Sequence, residues 1–364
     1  MITSFEASNF KGFQHVSIPE LSSITLLGGR NNVGKTSVLE AVFTLFDRAN
    51  PQVLVRQFAW RGVEALPMSP EAIWAPVFHD YDMRSEIVLA AAIEGIKHTL
   101  RISLSQPVTS QAMLGSSMTG ADRTPIIRTD QTAALNAALD LCYQRGDEPD
   151  LTSQHTIAVV GGQSQLVLNL NAADRVEQFV SMVLPGIGES HSALATLYGQ
   201  ADVKVGGADS ILEFLRIMEP SLRSLSVVAM GNMSMIHGEL DGMPRKIPVA
   251  YMGGGMVHLL RIILHMVTYR QPILLIDEID GGIHHSIMAK FWEGVVKAAH
   301  RFDCQVIATT HSYECLQAAR EGVSGCHEDE FCYVRLERKG AEVKAKTYNY
   351  ERFSTALDSN MELR

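Results

Sequence analysis

The sequence lacks the cysteine pattern, the excess of basic residues and the secretory leader that mark several large classes of protein. Its 364 residues include five cysteines, an odd number with no C-x-x-C spacing, which predicts reduced thiols and a cytoplasmic protein. The formal net charge of −9 argues against a broad basic surface for nucleic acid, although a local basic groove is compatible with it. The N-terminus has no basic segment followed by an apolar core, so we expect no signal peptide.

Long apolar runs, zinc-finger spacings and heptad repeats are also missing. The most apolar region, residues 247–276, is interrupted by arginines and does not predict a membrane span. The cysteines and histidine within residues 326–332 fit no common zinc finger, and residues 60–240 carry no sustained heptad pattern that would predict a long coiled coil. With 46% hydrophobic and 20% charged residues, the composition instead predicts a folded protein with a sizeable core.

A phosphate-binding motif lies near the start of the sequence. Residues 29–36 read Gly-Arg-Asn-Asn-Val-Gly-Lys-Thr, which is the P-loop spacing. Residues 23–28 predict a buried strand before it, and residues 37–43 predict a helix with an inward apolar face after it. Gly29 and Gly34 let backbone N–H groups turn toward a polyphosphate at a helix N-terminus. The motif therefore predicts binding of a nucleoside triphosphate.

Two side chains of this loop carry the predicted chemistry. Lys35 is expected to reach the β- and γ-phosphates, and the Thr36 hydroxyl is expected to ligate Mg²⁺. The predicted cofactors are ATP and Mg²⁺. The predicted nucleotide contacts of the loop are Gly29, Asn31, Asn32, Gly34, Lys35, Thr36 and Ser37.

Two later strands are predicted to complete the site. Residues 273–276 are apolar and lead to Asp277 and Glu278, of which the first would hold Mg²⁺ through water and the second would orient or polarise the attacking water. A buried strand at 304–310 delivers His311 at its C-terminal end, where ligands bind in open α/β sheets. There a neutral imidazole would contact the γ-phosphate. The alternatives are surface acids that merely end a strand and an incidental histidine. The P-loop disfavours the first, and the spacing of His311 from Asp277 and Glu278, one helix and one strand, disfavours the second.

A glycine-rich turn precedes the first of these strands. Gly253, Gly254 and Gly255 open an apolar helix and create a second helix N-terminus suited to an anion. One interpretation is a tight turn before a core helix, which this segment alone favours. The other is a site that faces the nucleotide of a neighbouring subunit.

The order of predicted elements indicates an α/β protein. The last third alternates helix and strand, which predicts a parallel sheet covered by helices on both faces. Residues 173–218 show broken helical patterns, and residues 105–130 predict a polar loop. Antiparallel hairpins are predicted at 85–92 with 95–104 and at 156–161 with 164–170, and further strands at 2–8, 13–17, 224–229, 233–237 and in the segment 331–348.

The P-loop, the glycine turn, the Asp-Glu strand and the histidine, in this order, resemble the ATPase heads of the ABC and SMC superfamily. Residues 9–13, Asn-Phe-Lys-Gly-Phe, are similar to an element that opens such heads and lies near the nucleotide. Residues 277–286 and 309–315 resemble, more narrowly, the small bacterial AAA-type ATPases related to OLD proteins. The ATPase subunits of the PARIS, Septu and Gabija phage-defence systems belong to that group. The resemblance covers residues 1–50 and 210–364.

This resemblance implies an ABC-type P-loop ATPase head with added β hairpins and a helical insertion. The implied ATPase core is 1–60 with 240–364, and the insertion at 61–239 would recognise a partner or trigger. In such heads the glycine turn of one subunit faces the nucleotide of another, which implies a homodimer or a larger homo-oligomer. Gly253 stands where ABC signatures usually carry serine, which implies slow hydrolysis.

Two further departures concern residues without an assigned role. His284 and His285 stand where SMC proteins carry aspartate, and we interpret them as interface or packing residues. The Q-loop glutamine of such heads has four candidates without a persuasive context: Gln57, Gln106, Gln131 and Gln163.

The resemblance also limits the function. The chain after His311 is too short for the metal-binding nuclease domain of OLD-type nucleases, so cutting would need another protein. The first function predicted is an ATP-driven switch that controls a separate effector, a nuclease or toxin, in phage defence. The alternative is a DNA-repair or DNA-transaction ATPase that works with a nuclease. The acidic charge balance favours the first.

Overall fold

The structure, a computed structural model, divides by its contacts into two compact units. The first comprises Met1–Leu21, Asn31–Glu177 and Leu336–Lys346, and the second comprises Ser22–Arg30, Gln178–Arg335 and Thr347–Arg364. The residues described are 1–50, 52–63, 69–105, 138–160, 163–170, 180–183, 190–231, 233–269, 272–340, 342–359 and 361–363.

The strands and helices of the described residues follow the chain in this order. The strands are β1 (Ile2–Phe10), β2 (Phe13–Ile18), β3 (Ile24–Gly28), β4 (Ile87–Ile93), β5 (Ile96–Ser105), β6 (Ala138–Arg145), β7 (Leu151–Val160), β8 (Gln163–Leu170), β9 (Val180–Val183), β10 (Leu222–Met230), β11 (Met233–Leu240), β12 (Ile247–Pro248), β13 (Ile273–Ile276), β14 (Gln305–Thr309), β15 (Phe331–Lys339) and β16 (Glu342–Asn349). The helices are α1 (Lys35–Phe46), α2 (Val53–Ala59), α3 (Pro70–Ile73), α4 (His191–Asp202), α5 (Gly207–Met218), α6 (Gly254–Thr268), α7 (His285–Arg301), α8 (Tyr313–Val323) and α9 (Tyr350–Asp358).

The first unit contains an antiparallel sheet with the strand order β2-β1-β4-β5-β6-β7-β8. The hairpin of β4 and β5 is confirmed, and its turn at Glu94 and Gly95 has positive φ at both residues, as a tight hairpin requires. The hairpin of β7 and β8 is also confirmed, and residues 161 and 162 between its strands lie outside the described residues. Helix α1 contacts β1 and β4 and buries the residues from Val38 to Phe46.

The second unit contains most of a sheet with the order β16-β15-β3-β14-β13-β9, in which neighbours from β15 to β9 are parallel. Every residue of β3, β13 and β14 is buried, as expected for a parallel sheet covered on both faces. Residues of these strands share one core with α4 to α9. A smaller antiparallel sheet, β10-β11-β12, belongs to the same unit. The predicted fold class, a parallel sheet flanked by helices with added hairpins and helices, is confirmed.

The region 173–218 is the clearest departure from the sequence prediction. It contains the predicted helices α4 and α5, but it also supplies β9, which adds an edge to the parallel sheet beside β13. The predicted loop at 105–130 lies outside the described residues except for Ser105, the last residue of β5. The domain boundaries predicted at 60 and 240 stay a prediction, and the compact units divide the chain at other positions. Among the helices described, none combines the length and the apolar character needed to cross a membrane.

Candidate nucleotide-binding site

The predicted site residues of the second unit lie at one edge of its parallel sheet. Strands β3, β14 and β13 are adjacent and parallel, so their C-terminal ends meet at the same edge. Gly29 directly follows β3, and Asp277 and Glu278 directly follow β13. One residue separates His311 from the end of β14. The sheet order therefore brings together four residues that are far apart in the sequence.

The backbone between β3 and α1 contains two glycines with positive φ. Gly29 has φ +130° and Gly34 has φ +106°, values that residues with side chains rarely adopt. Helix α1 begins at Lys35, has no acidic residue in its first turn, and has no side-chain cap at Gly34. The helix terminus therefore offers its N–H groups and positive dipole end to an anion.

Packing also excludes other residues at Gly34. A Cβ atom there would lie 2.4 Å from the ring of Phe13, which is far inside van der Waals contact. Phe13 is the last residue of the element at 9–13, so that element lies against the P-loop at Gly34. Gly28 is restricted in the same way, because its Cβ would overlap the Tyr333 side chain.

A buried ion pair joins the element at 9–13 to α1, and the sequence did not predict it. Lys11 Nζ lies 2.7 Å from Glu40 Oε2, and Arg61 donates to both oxygens of the same carboxylate. Glu40 is 1% exposed, so both cations serve to neutralise a charge inside the unit. Burial lowers the pKa of Lys11 to about 8, although Glu40 opposes the shift. Lys11 is therefore engaged by α1.

The remaining polar residues of the loop differ in exposure. Asn31 and Asn32 are exposed, and Asn32 has φ +61°, while Lys35, Thr36 and Ser37 are partly buried at the start of α1. A lysine and a threonine hydroxyl at a helix N-terminus fit a magnesium–nucleotide complex chemically. Their nucleotide contacts stay predictions.

The turn after β13 is held by a threonine of the neighbouring strand. The Thr309 hydroxyl donates to Asp277 Oδ1 at 2.6 Å and accepts from the Glu278 N–H at 2.8 Å. Glu278 has φ +46°, an uncommon conformation for a residue with a side chain. Since Thr309 is fully buried, it fixes the direction in which both acids leave the sheet. Thr309 lies inside the predicted strand, and only the pairing of β13 with β14 reveals its role.

A second set of hydrogen bonds fixes the following residues. Thr310 Oγ1 donates to Asp280 Oδ1 at 2.8 Å, and the Ile279 N–H donates to the Thr309 carbonyl at 3.0 Å. The Gly281 N–H closes the turn on the Glu278 carbonyl at 2.7 Å. Residues Asp277 to Gly281, here called the acid turn, are thus attached by four hydrogen bonds to Thr309 and Thr310, which precede His311.

Glu278 and His311 lie next to each other at this edge. His311 Nδ1 is 3.9 Å from Glu278 Oε1, and each side chain is 49% exposed. This separation is longer than a hydrogen bond, so the two side chains are close without being locked together. A carboxylate and an imidazole in this arrangement can both act on one water molecule.

The glycine turn before α6 has three residues with different surroundings. Gly253 is exposed with φ +105°, and an added Cβ would meet no atom within 4 Å. A Cβ at Gly254 would lie 3.0 Å from the Gly282 carbonyl oxygen, and one at Gly255 would lie 3.0 Å from Ile287 Cδ1. Gly254 therefore lies against the loop before α7 and Gly255 against the first turn of α7, while Gly253 stays accessible to a ligand.

The two histidines after the acid turn have local contacts. His284 Nδ1 accepts from the Ser286 N–H and caps α7, and its ring lies 4.1 Å from that of His285, centroid to centroid. Of the four candidate glutamines, Gln57 is buried and donates to Thr44 at 2.8 Å, so it packs α2 on α1. Gln106 and Gln131 lie outside the described residues.

A buried histidine one turn into α6 makes stability depend on pH. His258 is 8% exposed and stacks on Phe291, and in the described residues its Nε2 has no hydrogen-bond partner. Burial lowers the pKa of His258 to about 4. Between about pH 6.5 and 4 the unfolded chain binds a proton that the folded chain does not, so stability falls as the pH falls through this range. The full loss corresponds to about 3 kcal/mol.

The change His258→Leu is expected to remove this part of the pH dependence. The free energy of unfolding, measured by denaturant titration from pH 7 to pH 4, should fall less steeply in the variant. A residual slope is expected because complete burial also lowers the pKa of His155 to about 4. His15→Leu, at an exposed position, is the matched control and should follow the wild type. Parallel curves for His258→Leu and wild type would contradict the assignment.

Two family models match separate parts of the chain. Residues 1–108 match a model described as "AAA ATPase domain", and residues 208–316 match a model described as "AAA domain, putative AbiEii toxin, Type IV TA system". The first match contains the P-loop, and the second contains the glycine turn, the acid turn and the histidine.

A curated relative and two solved structures cover nearly the whole chain. An "ATP/GTP phosphatase" of Helicobacter pylori is 20% identical over an alignment of 331 residues that covers 87% of this chain and 87% of the relative. An SMC head bound to the C-terminal winged-helix domain of ScpA has a TM-score of 0.50 at 11% identity and covers 97% of this chain and 99% of its own. An SMC head with an extended coiled coil, bound to the C-terminal domain of ScpA derived from Pyrococcus furiosus, has a TM-score of 0.51 at 11% identity and covers 99% of both. The fold is that of an SMC-type P-loop ATPase head.

Proposed function

We propose that this chain, a P-loop ATPase of the ABC/SMC type, is a switch that assembles when it binds ATP and controls a separate effector protein. The observation that supports the proposal is that three parallel strands end at one sheet edge. The start of the P-loop, the acid turn and His311 each follow one of these strand ends. Such an edge suits nucleotide hydrolysis, because metal-binding oxygens and a group that acts on water lie where the P-loop begins.

Each residue has a proposed role in hydrolysis. Lys35 neutralises the β- and γ-phosphates, and Thr36 and Asp277 hold Mg²⁺, the first directly and the second through water. Glu278 orients or polarises the attacking water, and His311 contacts the γ-phosphate. The bound Mg²⁺ supplies neutralisation of the charge that develops on the phosphate oxygens. Thr309 positions Asp277 and Glu278 by its two hydrogen bonds.

The proposed assembly is a homodimer or larger homo-oligomer with composite sites. Gly253 and Gly254 are exposed at the N-terminus of α6, whose first turn has no acidic residue. The N-terminus of α6 is a second helix terminus suited to phosphate, and we propose that it contacts the nucleotide bound by another copy of the chain. ATP then stabilises the assembly, and hydrolysis removes the contact and releases it. The missing serine at Gly253 predicts slow turnover.

The proposed effector is a nuclease or a toxin in antiphage defence. The description of the family model that residues 208–316 match names a toxin and a toxin–antitoxin system. This description supports a role in controlling a toxic effector. The resemblance of residues 277–286 and 309–315 to the ATPases of phage-defence systems supports the same assignment. The alternative is a DNA-transaction ATPase, for which the similarity to SMC heads is the supporting observation.

Capture of the nucleotide-bound state tests this function. Tagged Glu278→Gln protein, expressed in its native host with its neighbouring genes and purified with ATP and Mg²⁺, should retain an effector protein in defined stoichiometry. The control Lys35→Ala/Glu278→Gln has the same surface but is not expected to hold the nucleotide, and it should lose the effector. Recovery of equal amounts with both variants would contradict an ATP-controlled interaction. Tight, salt-sensitive DNA binding by purified protein, without an effector, would favour the alternative.

A further inference from the structure

A cluster of three potential metal ligands lies in the second unit and is not part of the nucleotide site. His300 is in the last turn of α7, and His327 and Glu330 belong to the short turn that precedes β15. Their ligand atoms all lie within 4.8 Å of one another, and no other such group occurs in the part of the chain that the structure describes. The sequence predicted no zinc finger here; the cluster shares His327 with the spacing considered there, but its other members are His300 and Glu330 and not cysteines.

The Nδ1 atoms of both histidines lie near the same oxygen of the Glu330 carboxylate. His300 Nδ1 is 2.7 Å and His327 Nδ1 is 3.7 Å from Glu330 Oε1. The two imidazole rings are stacked with their centroids 3.6 Å apart. Two ring nitrogens therefore face the same oxygen from neighbouring directions.

We propose that His300, His327 and Glu330 bind a divalent transition-metal ion of the Zn²⁺ type, with water at the remaining position. Two imidazole nitrogens and one carboxylate oxygen form a common ligand set for Zn²⁺, and three protein ligands leave a position for water. Hard cations such as Mg²⁺ prefer sets made of oxygen only, so this site and the nucleotide site would select different metals.

The spacing fits such an ion with a small adjustment. Tetrahedral ligands at about 2.0–2.1 Å from zinc lie roughly 3.3 Å apart. The distance between His327 Nδ1 and Glu330 Oε1 is slightly above this value. The distance between His300 Nδ1 and Glu330 Oε1 is below it. Since the His300 and Glu330 side chains are 49% and 24% exposed, solvent can reach the site and the side chains have room to adjust.

The backbone holds two of the ligands in place before any ion binds. His327 has φ +54°, and the turn that contains it is closed by Glu328, whose Oε1 accepts from the Gly325 N–H at 2.7 Å. The Glu330 N–H donates to the His327 carbonyl at 3.0 Å, which keeps these two residues on one short turn. His300 comes from a different element, so the ion would connect the end of α7 to the start of β15.

This connection predicts a stabilising role. The strand β15 pairs with β3, and α7 packs in the core of the same unit. An ion that binds only the folded chain stabilises it by mass action. Without an ion, the same residues form a hydrogen-bonded histidine–glutamate pair beside a stacked ring, and that alternative predicts no dependence on metal.

The test uses the full chain, freed of metal by chelator and kept without nucleotide and Mg²⁺, and titrated with Zn²⁺ in a calorimeter. Wild type is expected to bind one Zn²⁺ per chain more tightly than Glu330→Gln or His300→Ala by at least about 100-fold, since losing even an outer-shell partner costs 10–100-fold. The melting temperature of wild type should rise with Zn²⁺, whereas that of the variants should not.

The control is His284→Ala/His285→Ala, which removes another contacting histidine pair and should leave this binding unchanged. Unfolding by circular dichroism shows that each variant is folded before titration. Equal Zn²⁺ affinity in wild type and in both ligand variants would overturn the proposal, as would weaker binding in the control alone.

Discussion

Replacement of Lys35 by alanine is expected to reduce ATP hydrolysis to background and to weaken ATP binding strongly. Lys35 opens α1 directly after Gly34, so its charge lies at the helix terminus that is proposed to hold the triphosphate. Loss of one group that stabilises the charge of a transition state typically costs about 10²–10³-fold in turnover. Phosphate release and binding of a fluorescent ATP analogue measure the two effects.

Two controls separate this effect from unfolding. Lys290→Ala removes an exposed lysine of α7 and should leave both hydrolysis and binding unchanged. Lys35→Arg retains the charge and should keep part of the binding while turnover falls, because the guanidinium has a different shape. Unchanged turnover in a folded Lys35→Ala protein would remove the basis for the P-loop assignment.

Replacement of Glu278 by glutamine is expected to lower turnover by roughly two or more orders of magnitude while ATP still binds. The amide keeps the size of the side chain but cannot act as a base, and loss of general-base chemistry costs about 10²–10⁴-fold. The Glu278 N–H bond to Thr309 involves the backbone, so the turn itself should survive. Single-turnover measurements with ATP and Mg²⁺ separate slow hydrolysis from slow product release.

The matched control is Glu321→Gln, which changes an exposed carboxylate of α8 and should hydrolyse ATP at the wild-type rate. If Glu278→Gln also does so, another residue positions the water. His311→Ala would then be the next variant to measure, because His311 lies 3.9 Å from Glu278 and is the other group proposed at the γ-phosphate.

The sequence predicted those parts of the site that depend on local pattern. The strand, loop and helix around Gly34, and the position of Asp277 and Glu278 after an apolar run, follow from short-range periodicity and glycine spacing. The order of the parallel strands then placed His311 at the same edge, since alternating helix and strand leaves few alternatives.

Features that depend on tertiary pairing were not predicted. In the sequence, Glu40 is one polar residue within an apolar helical segment. Only the packing of α1 in the fold brings Lys11 and Arg61 to its carboxylate. Thr309 belongs to a buried strand, and its hydrogen bonds to the acid turn arise from the neighbouring strand. The strand β9 is four residues long and lies in a region with helical pattern, so its pairing with β13 overrides the local signal. Among the proposed metal ligands, His300 is likewise brought to His327 and Glu330 only by the fold.

In the proposed composite site, the glycine turn of one chain contacts the nucleotide bound by another. Gly254→Asp adds bulk and negative charge at the exposed start of α6, where the phosphate of another subunit is expected. Its Cβ would also press on the Gly282 carbonyl at 3.0 Å, so Gly254→Ala is the matched control for that local effect. We expect Gly254→Asp to lose hydrolysis but keep most ATP binding, and Gly254→Ala to lose less of the hydrolysis.

Mixing Gly254→Asp with Lys35→Ala protein tests the central claim most directly. In a mixed dimer, one of the two sites combines the intact P-loop of the first chain with the intact glycine turn of the second. ATP turnover of the mixture, measured with co-assembly verified by differently tagged chains, is therefore predicted to exceed that of either variant alone. If the mixture stays as inactive as its parents while the chains co-assemble, the glycine turn does not act on the nucleotide of another subunit.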